Sequence, residues 1–163
     1  MRIDVRAESA EQTREVGEAI ASLLRARDAV MLTGELGAGK TTFAQGVARG
    51  LGIEEPVVSP TFTLVKEYSG ILDLAHVDVY RLDRIQDVVD LGLEELGGGD
   101  DVLLVEWGDT IEELLPENRL RVEIMTSADA EEVRTITISA TGEGWVGRFA
   151  ELEAAVMPWR VPA

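Results

Sequence analysis

One glycine-rich segment has the residue types and spacing that bind phosphate. Residues 34–42 read Gly-Glu-Leu-Gly-Ala-Gly-Lys-Thr-Thr, between an apolar run at 29–32 and a helical pattern. The glycines let successive backbone N–H groups point at phosphate oxygens, and the following helix adds the positive end of its dipole. We expect Lys40 to reach the β- and γ-phosphates and Thr41 to hold Mg²⁺. The segment therefore predicts a nucleoside triphosphate site, the alternative being a glycine-rich turn that only caps a helix.

An acidic residue at the end of a second apolar run is a candidate metal ligand. Glu106 follows four apolar residues at 102–105, a pattern typical of a buried strand in a parallel sheet. Ligands of open α/β sheets gather at the carboxyl ends of the strands, where this carboxylate is suited to hold Mg²⁺. Aspartate is more usual at such a position. The alternative is an acidic residue that faces solvent.

A second acidic candidate lies in a segment with alternating polarity. Strand alternation puts Val77 and Val79 on one face and His76, Asp78 and Tyr80 on the other. The polar face either lines the nucleotide crevice, where Asp78 would take part in catalysis, or is solvated. For His76, the only histidine, a structural hydrogen bond is favoured over the orientation of a water molecule.

A hydroxyl-rich segment follows the predicted phosphate-loop helix. Residues 59–63 read Ser-Pro-Thr-Phe-Thr, directly before the β-rich part of the chain. Such a segment either senses the γ-phosphate, as the switch segments of nucleotide-binding proteins do, or forms a local turn through its hydroxyl groups.

Hydrophobic periodicity predicts the elements that position these residues. Strands are predicted at 2–6, 28–33 and 102–105, with a hairpin inside 57–81 that turns at Ser69-Gly70, and a strand pair at 119–125 and 133–140. Helices are predicted at 10–25, after the phosphate loop as far as Gly50–Gly52, and at 83–96. A last helix carries Trp145, Phe149, Leu152 and Val156 on one stripe and ends at Pro158. We therefore expect a three-layer α/β fold of the P-loop NTPase type, with a mixed central sheet and an antiparallel hairpin insertion.

Length and composition narrow the classes of function. The 163 residues predict a single domain, 1–163, and 45% hydrophobic residues are ordinary for a soluble protein. No apolar run is long enough to span a bilayer, the first residues lack a signal-peptide pattern, and cysteine is absent, so we expect a cytoplasmic protein. With 15 basic against 31 acidic residues, independent binding of nucleic acid is disfavoured.

Taken together, four motifs resemble the bacterial TsaE (YjeE) ATPase family, which serves tRNA threonylcarbamoyladenosine biosynthesis. The motifs are L-G-A-G-K-T-T-F at 36–43, S-P-T-F-T-L-V at 59–65, H-V-D-V-Y-R-L at 76–82 and L-V-E-W at 104–107. A phosphate loop alone is common to many families, whereas the four motifs in this order are specific. The resemblance covers residues 34–107.

The resemblance implies roles for individual residues. The phosphates of ATP would lie on Leu36, Gly37, Ala38, Gly39, Lys40, Thr41 and Thr42. Thr41 and Glu106 would hold Mg²⁺, Asp78 would belong to the catalytic group with Lys40 and Glu106, and Trp107 would lie near the nucleotide. Thr13 is a weaker match for an adenine contact, and Arg81 is only a candidate for an arginine finger.

The resemblance also implies a partner-dependent activity. Family members hydrolyse ATP weakly alone and act with the TsaB–TsaD pair, in which TsaD transfers threonylcarbamoyl to adenosine 37 of tRNAs that read codons starting with A. Binding and ATP turnover would reset that complex, so this chain would meet tRNA only indirectly. Its acidity agrees with such a role.

Three other classes of function are weaker matches. A small-molecule kinase needs an arginine-rich lid, whereas the arginines here are scattered. A GTPase needs an N-K-x-D segment, and the only asparagine is Asn118. A non-catalytic adaptor that senses ATP is the most serious alternative, since docking rather than hydrolysis would then be the functional event.

Overall fold

The computed structural model describes residues 1–35, 37–60, 65–79, 89–90, 92, 99–128 and 130–162. Several predicted features lie outside these ranges. They are Leu36 of the phosphate loop, residues 61–63 of the hydroxyl-rich segment, Tyr80, Arg81 and most of the helix predicted at 83–96.

One mixed sheet of seven strands organises the described part of the chain, in the order β1-β7-β6-β2-β5-β4-β3. The strands are β1 (Arg2–Ala7), β2 (Ala29–Thr33), β3 (Val65–Tyr68), β4 (Leu74–Asp78), β5 (Val102–Glu106), β6 (Arg119–Thr126) and β7 (Arg134–Thr141). The helices are α1 (Ala10–Ala21), α2 (Lys40–Gly50), α3 (Glu143–Val146) and α4 (Phe149–Ala155), with 3₁₀ helices at Gly108–Leu114 and Met157–Trp159.

The centre of the sheet is parallel and its edges are antiparallel. Strand β2 runs parallel to β5 and β6, and β4 runs parallel to β5. Every residue of β2, β4 and β5 is buried, as expected for parallel strands that are covered on both faces. The predicted hairpin is confirmed as the antiparallel pair β3–β4, and the predicted pair at 119–140 as β6–β7.

Helices α1 and α2 cover one face of the sheet and contact each other through their backbones. Ser9 caps α1 by accepting a hydrogen bond from the Gln12 backbone N–H, as the sequence pattern predicts. The facing surfaces carry Gly17 and Gly46, and a Cβ at Gly46 would lie 2.0 Å from the Arg14 carbonyl oxygen. Only glycine permits this separation, so the position of α2 behind the phosphate loop depends on it.

A second apolar cluster lies on the face of the sheet opposite α1 and α2. Ile111 and Leu115, in and directly after the 3₁₀ helix Gly108–Leu114, belong to a second apolar cluster with Met31, Val77 and Val105. Val77 and Val79 lie in this cluster, so the predicted alternation of residues 76–79 is confirmed. One apolar cluster lies on each face of the sheet. The sheet is therefore the middle layer of the three that the sequence predicts.

The last helix differs from its prediction. Instead of one helix through Trp145 and Val156, the chain forms α3, a break at Gly147 and Arg148, and then α4. The prediction of a continuous helix was wrong because Arg148 turns inward: its Nη1 lies 2.6 Å from Asp28 Oδ2 and its Nε donates to the Gly144 carbonyl. The apolar residues Trp145, Leu152 and Val156 are nevertheless buried, as expected from their spacing.

Among the described residues, no helix combines the length and the apolar composition needed to cross a membrane.

Candidate functional site

The glycine-rich loop joins the end of β2 to the start of α2. Gly37 and Gly39 have φ angles of 81° and 110°, in the region that side chains disfavour, so glycine is required for the path of the chain. Helix α2 begins at Lys40, and no side chain caps its N-terminus within the described residues. The first backbone N–H groups of α2 are therefore available to an anion, with Thr41 and Thr42 in its first turn.

The Lys40 ammonium lies at the centre of the site. Its Nζ donates to the carbonyl oxygens of Gly34 at 2.8 Å and Glu35 at 2.9 Å, and only 6% of the residue is exposed. Burial lowers the pKa of Lys40, while the negative charges of Glu106 and Asp78 act to raise it. Lys40 is thus held by the loop's own carbonyls, which a phosphate group can replace.

Two carboxylates face Lys40 from adjacent strands. The parallel register sets Asp78 at the end of β4 opposite Glu106 at the end of β5, and Glu106 opposite Leu32 of β2. Asp78 is 5% exposed and Glu106 is 3% exposed, so neither faces bulk solvent. The structure therefore brings Lys40, Asp78 and Glu106 together at the carboxyl ends of the central strands.

His76 makes the structural hydrogen bond that the sequence favours. Its Nε2 lies 2.8 Å from Glu106 Oε2, and both side chains are buried. Nδ1 is buried with no partner among the described residues, and Nε2 faces a carboxylate, which accepts hydrogen bonds, so Nε2 is the nitrogen that donates. We therefore assign His76 as the donor to Glu106, which leaves the second carboxylate oxygen of Glu106 for another contact.

Trp107 lies next to the loop in an unusual backbone conformation. Its φ and ψ are 66° and 28°, the left-handed region, which costs roughly 1–2 kcal/mol for a residue with a side chain. Its N–H donates to the Leu32 carbonyl at 2.9 Å, which fixes this turn against β2. The Lys40 Nζ lies 4.0 Å from the centroid of the Trp107 ring, so the indole covers the ammonium.

A cavity of about 370 Å³ adjoins the start of α2, and Thr13, Gly39, Thr42 and Arg134 are among the residues that line it. Thr13 is buried, as part of α1. The Arg134 Nε donates to the Ala38 carbonyl at 2.7 Å, so this arginine of β7 fixes the outer edge of the loop. We call this space the Thr13 cavity.

The oxygen ligands expected for Mg²⁺ fit the residues present. Thr41 lies in the first turn of α2, and Glu106 ends strand β5. Mg²⁺ typically binds one or two protein oxygens together with phosphate oxygens and water, so this pair is sufficient when a nucleotide supplies the rest. No cluster of three or more acidic or histidine ligands that could hold a metal without a nucleotide occurs in the part of the chain that the structure describes.

Sequence reasoning missed two contacts of this site. The pairing of His76 with Glu106 joins residues 30 positions apart and requires the register of β4 and β5. The contact of Arg134 with the loop requires the return of β7 to the loop's outer edge. His76 lies in a motif that does not identify its partner, and Arg134 lies in no motif, whereas the loop and the two strand-end acids are visible in the sequence.

Comparison with known proteins identifies the family of this chain. The model of the TsaE family, described as "Threonylcarbamoyl adenosine biosynthesis protein TsaE", matches residues 7–136, which extends the resemblance beyond 34–107 on both sides.

Curated relatives and a solved structure agree with the family match. The TsaE protein of Bacillus subtilis is 47% identical over 133 residues, covering 81% of this chain and 82% of the relative. That of Streptomyces coelicolor is 45% identical, covering 81% and 93%. The crystal structure of Bacillus subtilis YdiB superposes with a TM-score of 0.80 at 39% identity, covering 94% of this chain and 95% of that one. The chain, with its P-loop NTPase fold, therefore belongs to the TsaE family.

Proposed function

We propose that this chain binds ATP with Mg²⁺ and hydrolyses it. The observation that carries the proposal is the convergence of Lys40, Asp78 and Glu106 beside the N-terminus of α2. The triphosphate would lie along residues 34–42, with Lys40 on the β- and γ-phosphates. The base would enter the Thr13 cavity, which shares Gly39 and Thr42 with the loop.

Each polar group of the site has a task in this proposal. Bound Mg²⁺ would neutralise charge on the β- and γ-phosphates, held by the Thr41 hydroxyl and Glu106. Lys40 would exchange the carbonyls of Gly34 and Glu35 for phosphate oxygens. Asp78, buried beside Glu106, would orient the attacking water, and His76 would keep Glu106 in one rotamer.

We further propose that this activity serves threonylcarbamoyladenosine formation on tRNA in the cytoplasm. The chain would dock on a TsaB–TsaD pair and reset it for another round, as the family resemblance implies. A formal net charge of −16 supports docking on proteins rather than direct binding to the phosphate backbone of tRNA.

The alternative of an ATP-sensing adaptor also has support in the structure. Lys40 is covered by Trp107 and held by two loop carbonyls, so nucleotide binding alone must rearrange these contacts. Such a rearrangement is sufficient to signal to a partner protein that ATP is bound, without hydrolysis of the ATP. Binding and turnover must therefore be measured separately.

Two alanine variants separate the ATPase from the adaptor. In Lys40→Ala, ATP affinity measured by calorimetry falls at least about 100-fold, because the phosphate loses charge-assisted hydrogen bonds. In Glu106→Ala, ATP still binds but Mg²⁺-dependent hydrolysis is lost. Lys66→Ala is the matched control, since Lys66 lies on edge strand β3.

The decisive readout is tRNA modification with the TsaB–TsaD pair. If Glu106→Ala supports undiminished modification over many rounds, the adaptor is correct and hydrolysis is dispensable. Undiminished ATP affinity in Lys40→Ala would remove the assigned nucleotide site altogether.

A further inference from the structure

The Arg134 side chain, at the start of β7, joins two separate parts of the backbone. Its Nε donates to the carbonyl of Ala38 in the phosphate loop at 2.7 Å. Its Nη1 donates to the carbonyl of Glu131 at 2.6 Å and to that of Val133 at 2.9 Å. These three hydrogen bonds all end on carbonyl oxygens. The guanidinium therefore ties the turn that precedes β7 to the phosphate loop.

The shape of the guanidinium suits this contact. Its N–H groups are fixed in one plane and point in different directions, so it can hold the loop and the turn at a constant separation. A Cβ at Gly39 would lie 3.9 Å from Arg134 Nε, which shows how closely the side chain lies against the loop. The hydrogen bond to Ala38 joins residues 96 positions apart. Arg134 is thus a tertiary support of the loop rather than part of its local sequence.

The contact with Arg134 fixes the direction of the peptide group between Ala38 and Gly39. The described chain has no cis peptide bond, and in a trans peptide the carbonyl and the following N–H point in opposite directions. Arg134 binds the Ala38 carbonyl from the outer edge of the loop. The N–H of Gly39 consequently points away from β7, towards the inside of the loop.

The Gly39 N–H is a donor without a backbone acceptor in the described part of the chain. The Gly39 carbonyl accepts from Phe43 and the Ala38 N–H donates to Glu35, but no such bond uses the Gly39 N–H. The residue is the N-cap of α2, with a φ of 110° that glycine permits. A backbone donor held in this way directly before a helix can bind a phosphate oxygen.

The charge of Arg134 also favours an anion at this place. The N-terminus of a helix carries partial positive charge, so a guanidinium beside the N-cap of α2 is repelled by the helix. Lys40, the first residue of α2, adds a second positive charge. A bound phosphate turns both repulsions into attractions. The position of Arg134 is therefore more favourable when the loop holds a phosphate group than when it is empty.

We propose that Arg134 is a positioning residue that aims the Gly39 N–H at the phosphate chain of the nucleotide. It acts through the Ala38 carbonyl and sets the direction of this donor before a ligand is bound, which reduces the reorganisation that binding requires. The inference rests on the proposed function, because it deepens the assignment of residues 34–42 to the triphosphate.

The test uses the whole chain and inorganic tripolyphosphate as the probe. Tripolyphosphate has no base, so the Thr13 cavity, which Arg134 also lines, makes no contribution to its binding. Arg134→Met removes the N–H donors and keeps an unbranched apolar side chain. We expect its affinity for tripolyphosphate, measured by calorimetry, to fall at least about tenfold, because a phosphate donor is no longer held in direction.

A second readout reports on the Gly39 donor itself. In ¹⁵N-labelled unmodified chain, saturating tripolyphosphate shifts the assigned amide signal of Gly39, because its N–H forms a hydrogen bond to the ligand. In Arg134→Met that shift is strongly reduced even when the ligand is saturating. A residue that only stabilised the fold would leave the shift at saturation unchanged, since every folded molecule would then form the same hydrogen bond.

Two further variants separate direction from charge and from folding. Arg121→Met removes an equal charge from the adjacent strand β6, where Arg121 lies 3.9 Å from Glu112, and retains the affinity of the unmodified chain within about twofold. Arg134→Lys keeps the charge, but one ammonium group cannot hold both the loop and the turn. It therefore shows the reduced Gly39 shift together with an intermediate affinity.

Three results would overturn the proposal. The first is unmodified affinity and an unmodified Gly39 shift in Arg134→Met. The second is an equal loss of affinity in Arg121→Met, which would reduce the effect to charge alone. The third is a full Gly39 shift in Arg134→Lys, which would have the same meaning.

Failure of this proposal is distinguishable from failure of the proposed function. ATP binding and ATP hydrolysis by the unmodified chain are measured in parallel. If the chain binds ATP and tripolyphosphate but does not hydrolyse ATP, the ATPase assignment fails and the role of Arg134 stands or falls by its own variants. If the unmodified chain binds neither ligand, the nucleotide site is wrong and the role of Arg134 is overturned with it.

Discussion

The charge state of Lys40 depends on the two acids that face it. Burial lowers its pKa, and the fields of Glu106 and Asp78 oppose that effect. A protonated amine is needed at the phosphates, so the carboxylates maintain the cation that the proposed site requires. The acids thus have a role even before a metal ion is bound.

We predict that Glu106→Gln lowers the pKa of Lys40 further below its ordinary value. Removing a nearby negative charge disfavours the ammonium, while burial is unchanged. The chain has only two lysines, Lys40 and Lys66, so NMR of ¹³C-labelled lysine follows both in one titration. Lys66 serves as the internal control. A Lys40 pKa that stays constant or rises in this variant contradicts the assigned electrostatics.

His76 is predicted to be a positioning residue for Glu106. His76→Ala leaves a buried carboxylate without its donor, so we expect kcat to fall about tenfold and the Mg²⁺ concentration for half-maximal rate to rise. ATP affinity without Mg²⁺ stays within about twofold. His76→Gln, whose amide nitrogen can occupy the place of Nε2, restores part of the rate, and His76→Asn does not.

A purely structural role for His76 makes a different prediction. Both polar variants would then behave alike, and the Mg²⁺ dependence would match the wild type. That outcome would remove the residue from the proposed mechanism.

At the residue scale, the sequence predicts those site residues that are marked by a motif or a spacing within a short segment. The loop and the acids at 78 and 106 follow from spacing and strand alternation, because each signal lies within a few residues. The His76–Glu106 and Arg134–Ala38 contacts depend on which strands are neighbours. Strand order is a property of the whole sheet, so no local pattern reveals those contacts.

At the scale of elements, glycine sets the packing of α1 on α2. The two helices also exchange exposed ion pairs, in which Arg49 contacts Glu11 and Glu18 at 2.9 and 2.8 Å. Such surface pairs contribute little to stability, because solvent screens their charges. The close approach at Gly17 and Gly46 therefore contributes more to the geometry than the charges do.

Gly46→Ala tests this packing. Alanine favours a helix by about 1 kcal/mol over glycine, yet here its Cβ would meet the Arg14 backbone at 2.0 Å, so we expect a net loss of at least about 2 kcal/mol. Urea denaturation measures the free energy of unfolding. Gly147→Ala is the control, because nothing lies within 4 Å of a Cβ at that position. A stabilised Gly46→Ala protein would contradict the packing argument.

The sequence predicts the central strands correctly but misses the break in the final helix. The strands at 29–33 and 102–106 follow from short, all-apolar runs. The final helix was predicted as continuous because Trp145, Leu152 and Val156 keep helical spacing through the break. The cause of the break, an ion pair of Arg148 with a residue 120 positions earlier, leaves no trace in that periodicity.

At the scale of the whole molecule, Arg148 ties the C-terminal segment to the start of β2. Its guanidinium contacts both oxygens of Asp28, at 2.6 and 3.0 Å, and donates to the carbonyl of Leu23 at 2.8 Å. The chain then returns to the sheet edge, where Val161 N–H donates to the Asp4 carbonyl. The C-terminal segment is thus fastened to the N-terminal half at two places.

Arg148→Leu is predicted to destabilise the protein by about 3–5 kcal/mol, since it leaves the buried Asp28 carboxylate unpaired. The measurement is the free energy of unfolding in urea. Arg160→Leu removes an exposed pair with Glu153 and is the control, with an expected loss of no more than about 1 kcal/mol. Equal losses of unfolding free energy in both variants would contradict this prediction, because the buried pair would then stabilise the fold no more than the exposed one.

The proposed function is that of an ATPase whose turnover is coupled to protein partners. The most direct test is the rate of Mg²⁺-dependent ATP hydrolysis by the purified chain, alone and with a TsaB–TsaD pair, with Lys40→Ala as the inactive reference. We expect slow turnover by the chain alone and a clear rise when the pair is added. Turnover that the pair leaves unchanged, with no complex formed in the presence of ATP, would contradict it.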